Sequence, residues 1–265
     1  MNALDALNAY YTAYDEDGRL LSPHGQVEYR TTMRYIEKYL RPGDRILEIG
    51  AGTGRYSHAL ARMGYRVDAV ELIEHNIEIF RQNTQPGENV TIRQGNALDL
   101  SAFADDTYDV TLLLGPMYHL FEAAERPVAL QEALRVTKPG GKLYVAYCMS
   151  DPSVMSYGFL RGNAPALIEK GLLDPVTFAA ASTPEEVFVL YRVEDIDRLV
   201  APLPAKRLHL AATDLFTNYF RDQIDQMPQS LFDLYLQYHF SICERPDMLG
   251  ISHHTLDVLE KANTI

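Results

Sequence analysis

Ile46-Leu47-Glu48-Ile49-Gly50-Ala51-Gly52-Thr53-Gly54-Arg55-Tyr56 is the stretch that decides the fold. An apolar strand-like run enters a turn holding three glycines, and a helical pattern begins beyond it: Tyr56, Ala59, Leu60 and Met63 recur at helical spacing. Glycine permits positive φ and lets a ligand approach the backbone. The helix start beyond the turn offers N–H groups with no partner inside the helix. Such a turn suits a ligand held at the carboxyl end of a first strand, although an isolated glycine triplet reads equally well as a tight turn.

Working outward, the same alternation repeats. Apolar runs at residues 45–49, 66–71, 90–94, 109–114 and 142–148 are separated by helical patterns: Ile73, Ile77 and Phe80 in one, Leu130 and Leu134 in another. Gly64 and Pro86-Gly87 close the first two helices, and Pro127 suits the first turn of the third. Strand and helix in alternation predict a parallel sheet covered on both faces, with the Leu112-Leu113-Leu114 run as a central strand. Upstream, Ser22-Pro23 caps a helix that carries Tyr29, Met33, Ile36 and Leu40, and residues 2–16 read as another helix. Downstream, strands are expected at 186–191, 206–212 and 253–261. A long helix is expected from Pro228, with Leu231, Leu234, Tyr235, Tyr238 and Ile242 along one face.

The glycine spacing separates two ligands. A dinucleotide turn follows G-x-G-x-x-G; here the glycines are 50, 52 and 54, and Arg55 stands where the third dinucleotide glycine would be. The pattern E-x-G-x-G-x-G instead resembles motif I of class I S-adenosylmethionine-dependent methyltransferases. The resemblance extends over about residues 28–149. It implies that Glu48, Gly50, Ala51, Gly52 and Gly54 form the turn around the methionine part and ribose of the cofactor. Glu71, closing the second strand, then accepts from both ribose hydroxyls, with Leu72 beside it. Asn96 and Ala97 correspond to the adenine-edge segment, with Asn96 replacing the usual Asp; an amide oxygen can still accept a hydrogen bond there. Asp99 is a competing acid for that contact, or a solvated loop residue. Leu114 ends the fourth strand beside the cofactor, and Pro139-Gly140-Gly141 matches the structural turn into the fifth.

Other candidates rest on weaker signals. His119 leaves the fourth strand where an acceptor belongs, and imidazole titrates near working pH, so it is the candidate base; a loop-bonding histidine is the rival reading. Tyr118 either faces cofactor and acceptor or packs in the core. Tyr29 and Arg30 on the N-terminal helix could reach the cofactor carboxylate, Arg30 by a bidentate fork, or could form a solvated helix face. Tyr10, Tyr11 and Tyr14 read as a packed face or an aromatic substrate wall. Cys148 reads as a small buried hydrophobe. His253 and His254 would face opposite sides of a strand, and His239 shows no ligand spacing, so no metal is expected.

The chain has 265 residues, 47% of them hydrophobic, and a formal net charge of −12. Its acids are spread along both halves, a field that argues against nucleic acid or an anionic membrane as partner. Two cysteines build no disulfide framework, and the N-terminus lacks the basic and apolar regions of a signal peptide, so a cytoplasmic protein is expected. The resemblance implies a doubly wound, Rossmann-like α/β fold whose mostly parallel seven-stranded sheet has an antiparallel last strand. The expected organisation is a helical arm at 1–43, a cofactor core at 44–149, and a helical lid followed by the last two strands at 150–265. The amphipathic 228–245 helix and its aromatic neighbours (Phe216, Tyr219, Phe220) are expected to close over the carboxyl edge. The implied function is methyl transfer from S-adenosylmethionine to a small-molecule acceptor, by in-line displacement, with acceptor atom and oligomeric state open. An NAD-dependent oxidoreductase, an aminopropyl transferase and a non-catalytic cofactor-binding module are the alternatives.

Overall fold

The computed structural model describes residues 3–263. Seven strands form one sheet in the order β3-β2-β1-β4-β5-β8-β7: β1 Arg45–Ile49, β2 Arg66–Glu71, β3 Val90–Gln94, β4 Tyr108–Leu113, β5 Thr137–Met149, β7 Ala205–Ala212 and β8 His254–Lys261. β8 is antiparallel to both neighbours and the other pairings are parallel. The two-residue β6, Leu190–Tyr191, adds itself to the end of β5. The strand expected at 186–191 shrinks to these two residues: Glu186 ends a 3-10 turn, Val187 takes a φ of +68°, and the Val189 N–H bonds to the Tyr118 carbonyl outside the sheet.

Helices α1 (Ala3–Ala13), α2 (Pro23–Tyr39), α3 (Arg55–Arg62), α4 (Glu74–Asn83) and α5 (Glu125–Val136) precede or link these strands. Ser22 caps α2 by accepting from Gly25 N at 3.2 Å, with Pro23 in the first turn, as its sequence requires. α5 begins two residues before Pro127, which is still within the tolerant first turn. Successive strand residues enter opposite cores. Leu47, Leu113 and Val145 pack with Leu130 and Leu134 of α5, whereas Ile46, Leu112 and Tyr144 pack with Ile36 of α2 and Leu60 of α3. Both faces are therefore dry, which is why the strand sequences are apolar without alternation. No helix among the described residues is long and apolar enough to cross a membrane.

The helix Gln229–Ile242 departs from expectation. Phe232, Leu236 and His239 are its buried positions, while Leu231, Leu234 and Tyr238 are about half exposed or more. It packs on α2, in a small cluster with Val27 and Ile224. The apolar residues of that helix are dense enough to draw more than one stripe, and only its partner selects which stripe is buried.

Candidate active site

At the β1/β4 switch of strand order, two loops approach closely: a Cβ on Gly115 would lie 3.2 Å from the Gly50 carbonyl oxygen. The three glycines of the first turn all take positive φ, +73° at Gly50, +55° at Gly52 and +92° at Gly54. Their reasons differ. A side chain on Gly50 would collide with Pro116, and one on Gly54 with His58 and Phe80, both at 2.6 Å. Gly52 has only Glu16 Cγ nearby, at 3.7 Å, and its open side faces a cavity.

That first chamber has a volume of about 250 Å³ and is bordered by Gly50, Gly52, Glu71, Leu72, Asn96, Ala97, Tyr118 and His119. α1 roofs it with Leu4, Leu7 and Tyr11. Glu71 is buried and oriented by backbone: its Oε2 accepts from Gly52 N at 2.8 Å and its Oε1 from Ile73 N at 2.9 Å. A carboxylate has further lone pairs, so acceptor capacity remains for hydroxyl groups. Burial raises its pKa, against the pull of those backbone donors. Asn96 Oδ1 accepts from Leu98 N at 3.0 Å, which fixes the loop and leaves its amide N–H groups for a ligand edge. Asp99 is exposed, accepts from Ser101 N and borders no part of this chamber.

A second chamber of about 510 Å³ adjoins the first, and Tyr11, Glu16 and Tyr118 border both. Its aromatic wall joins Tyr10 of α1, Tyr14 just after it and Phe188 before β6: Tyr10 and Tyr14 stack at 5.1 Å, and Tyr10 meets Phe188 edge-on at 5.6 Å. The aromatic residues expected at Phe216, Tyr219, Phe220, Tyr235 and Tyr238 border neither chamber. The polar wall joins residues from four segments. Arg19 pairs with Glu16 at 3.2 Å and with Glu28 at 2.8 Å, and His254 Nδ1 meets Asp214 Oδ2 at 2.7 Å. Glu28, Asp214 and His254 bring ligand-type atoms within 4.8 Å of one another, a juxtaposition their spacing in sequence hid. Their carboxylates are already engaged, Glu28 by Arg19 and Asp214 by five donors from Ser252, His253, His254 and Asn218.

His119 borders the first chamber as a neutral acceptor. Its Nδ1 lies 3.0 Å from the Val187 carbonyl oxygen, which can only accept, so Nδ1 carries the proton. Its Nε2 lies 2.7 Å from Tyr11 Oη and takes that hydroxyl's hydrogen. Burial lowers the His119 pKa to about 4, and burial raises that of Tyr11 well above the ordinary phenol value. Tyr118 donates to Leu114 O at 2.6 Å.

Residues 47–145 match the family described as a methyltransferase domain. A demethylmenaquinone methyltransferase of Clavibacter sepedonicus is 33% identical over 60% of this chain and 64% of its own length. A ubiquinone biosynthesis O-methyltransferase of Methylocella silvestris is 33% identical over 55% of each chain. The chain thus spans less than two thirds of the length of these curated relatives. The magnesium protoporphyrin IX methyltransferase of Synechocystis PCC 6803, solved with bound SAH, shares the fold at a TM-score of 0.62 and 12% identity, over 98% of this chain and 100% of that one. Residues 47–145 thus carry a methyltransferase domain, and the chain shares its fold with a solved methyltransferase.

The first chamber suits the cofactor of this methyltransferase family. Gly52 leaves a cradle that a larger side chain would fill, and a buried, backbone-oriented carboxylate suits a diol. Other positions expected at the cofactor lie elsewhere. Glu48 points into the core, where it accepts from Ser57 Oγ. Burial pushes its pKa up to about 8. Arg30 turns outward to Gln26, Asp233 and the Phe232 ring, because its face of α2 is the one covered by the Gln229–Ile242 helix. Tyr29 packs on Tyr56 at 5.3 Å. Ala51, Gly54 and Leu114 support the turn and the fourth strand from behind the chamber surface. Glu16, Arg19, Glu28 and Asp214 escaped the sequence reading altogether. They come from three segments, 16–19, α2 and the loop after β7, and nothing in a run of residues announces that four charges will converge.

Proposed function

We propose that this methyltransferase moves a methyl group from S-adenosylmethionine, held in the first chamber, to a small hydroxylated aromatic acceptor held in the second. The single observation that carries this reading is that two chambers of different chemistry meet at Tyr11, Glu16 and Tyr118. When bound, the cofactor supplies an electrophilic methyl group on a sulfonium. Gly50, Gly52, Glu71, Asn96 and Ala97 hold it. Tyr10, Tyr14 and Phe188 offer ring faces and edges to an aromatic acceptor, and the charged wall offers partners for its polar substituents. α1 and residues 14–22 serve as the lid in place of the 228–245 helix, and exclude water from both chambers. Orientation of the two reactants alone can contribute about 7–11 kcal/mol. The two curated relatives, whose names concern quinone biosynthesis, support a quinone-type ring as the acceptor class.

The test is S-adenosylhomocysteine release across hydroquinones, catechols, thiols, amines and carboxylates, with calorimetry for S-adenosylmethionine and NAD. Release with a ring hydroxyl and no binding of NAD is expected. Binding of NAD in preference to S-adenosylmethionine would overturn the reading.

A further inference from the structure

β8 runs antiparallel to β5, so its first residue, His254, sits opposite Cys148 at the carboxyl edge of the sheet. β7 runs the other way and ends at Ala212, which delivers Asp214 to the same edge. Asp214 is 1% exposed. Its Oδ1 accepts from Ser252 Oγ at 2.6 Å and from His253 N at 2.8 Å, and its Oδ2 accepts from His254 Nδ1 at 2.7 Å. An ionised carboxylate only accepts, so the shared proton sits on Nδ1. The other ring nitrogen, Nε2, has no hydrogen-bond partner among the described residues, and His254 borders the second chamber. The ring is thus held by its back nitrogen with its front nitrogen turned to acceptor space. His119 lacks the free nitrogen, since both its nitrogens are engaged.

We infer that His254 is the catalytic base for the acceptor and that Asp214 is the residue that positions it. The inference rests on the methyl-transfer reading above. As the acceptor's O–H bond breaks, its proton passes to Nε2; the oxygen keeps the electron pair and bonds the methyl carbon, and the C–S pair returns to sulfur. The imidazolium that results lies between Asp214 and Glu28, whose Oε2 is 3.5 Å from Nδ1. The titratable and charged groups around this ring include Glu28 on α2, Cys148 on β5, Asp214 and Arg221 after β7, the neighbouring His253, and Glu16 and Arg19 on the segment before α2. Burial opposes the imidazolium, but Glu28, Cys148 and Asp214 outweigh it and raise the His254 pKa well above the ordinary value. Burial also opposes ionisation of Asp214, and His254, His253 and Ser252 hold it well below the usual carboxylate range nonetheless. Turnover should therefore climb with pH through the neutral and alkaline range, as the ring loses its proton and becomes able to accept one.

Two measurements test this, both on the full chain. In the first, isotope-labelled histidine is followed by NMR with S-adenosylhomocysteine bound. The His254 ring should hold its Nδ1 proton at all pH and titrate above ordinary imidazole, and Asp214→Asn should lower that titration by at least about one unit. In the second, S-adenosylhomocysteine release is measured with catechol and with nitrocatechol, which is ionised at neutral pH. His254→Gln should lower kcat for catechol by about 10²–10⁴-fold with little change in KM, flatten the pH profile, and recover most of the loss with nitrocatechol. An unchanged S-adenosylhomocysteine Kd certifies that the variant folds. An active wild type whose His254→Gln variant keeps the same kcat and pH profile overturns the base assignment and leaves methyl transfer standing. So does a His254 ring protonated only on Nε2. A wild type that releases no product from either catechol overturns both readings.

Discussion

The two chambers that meet at Tyr11, Glu16 and Tyr118 are built by opposite means. The first is a backbone site. Its floor is the turn 50–54, its buried carboxylate, Glu71, is aimed by the N–H groups of Gly52 and Ile73, and its shape is set by where side chains are missing. The second is a side-chain site. Its charges come from residues 16, 19, 28, 214 and 254, and they orient one another through ion pairs and hydrogen bonds. A backbone site tolerates change in its surroundings but not in its glycines. A side-chain site couples its members, so removing one leaves another buried without a partner.

The largest effect is expected at the glycine that faces open space. Gly52→Val should abolish S-adenosylmethionine binding measured by calorimetry, because the side chain would enter the chamber; the positive φ of Gly52 adds backbone strain, read separately as a lowered apo Tm. Glu71→Ala should weaken binding by about 2–4 kcal/mol, since two hydroxyls lose a charged acceptor. If the Kd of a folded Glu71→Ala variant equals that of the wild type, the first chamber is not the ribose site.

Glu48 sharpens the contrast, since it belongs to the motif by sequence but to the core by structure. Its folded pKa is raised to about 8 from an ordinary 4.5, so the native state binds the extra proton. The stability this carboxyl contributes is fully present below 4.5 and is lost as pH rises towards 8. Glu48→Gln should remove that slope in denaturant melts and be more stable than wild type above pH 8, with the S-adenosylhomocysteine Kd changed by less than about threefold. A tenfold loss of affinity would return Glu48 to the cofactor site.

Arg19→Ala tests the coupling of the second chamber. It strands Glu16 and Glu28 in partly buried positions and should cost about 1–3 kcal/mol of stability, raise acceptor KM, and leave cofactor Kd unchanged. A matching loss of cofactor affinity would show that the chambers are one site. The smallest effect is expected on the Gln229–Ile242 helix. Leu234→Ser, at a position 61% exposed, should alter stability by no more than about 0.5 kcal/mol and leave both kinetic constants untouched. Phe232→Ala, on the face turned to α2, should destabilise by about 3 kcal/mol.

The sequence by itself determined the sheet core and the first chamber. Strands buried on both faces must be apolar throughout, glycines must occupy positive φ, and a buried acid closes β2 beside the glycine turn; each requirement leaves its mark within a few adjacent residues. Five strands and the turn between β1 and α3 were legible for that reason. Only the tertiary structure decided which face of the Gln229–Ile242 helix is buried, that Arg30 turns away from the cavity, and that Tyr10, Tyr11 and Tyr14 form a chamber wall. It also decided that His119 has no free nitrogen while His254 has one. Those outcomes depend on which partner arrives from a distant segment. His254 reaches the carboxyl edge because β8 runs antiparallel, and Asp214 reaches it because β7 does not. Strand direction is a property of the assembled sheet, so the residues that depend on it carry no local signal.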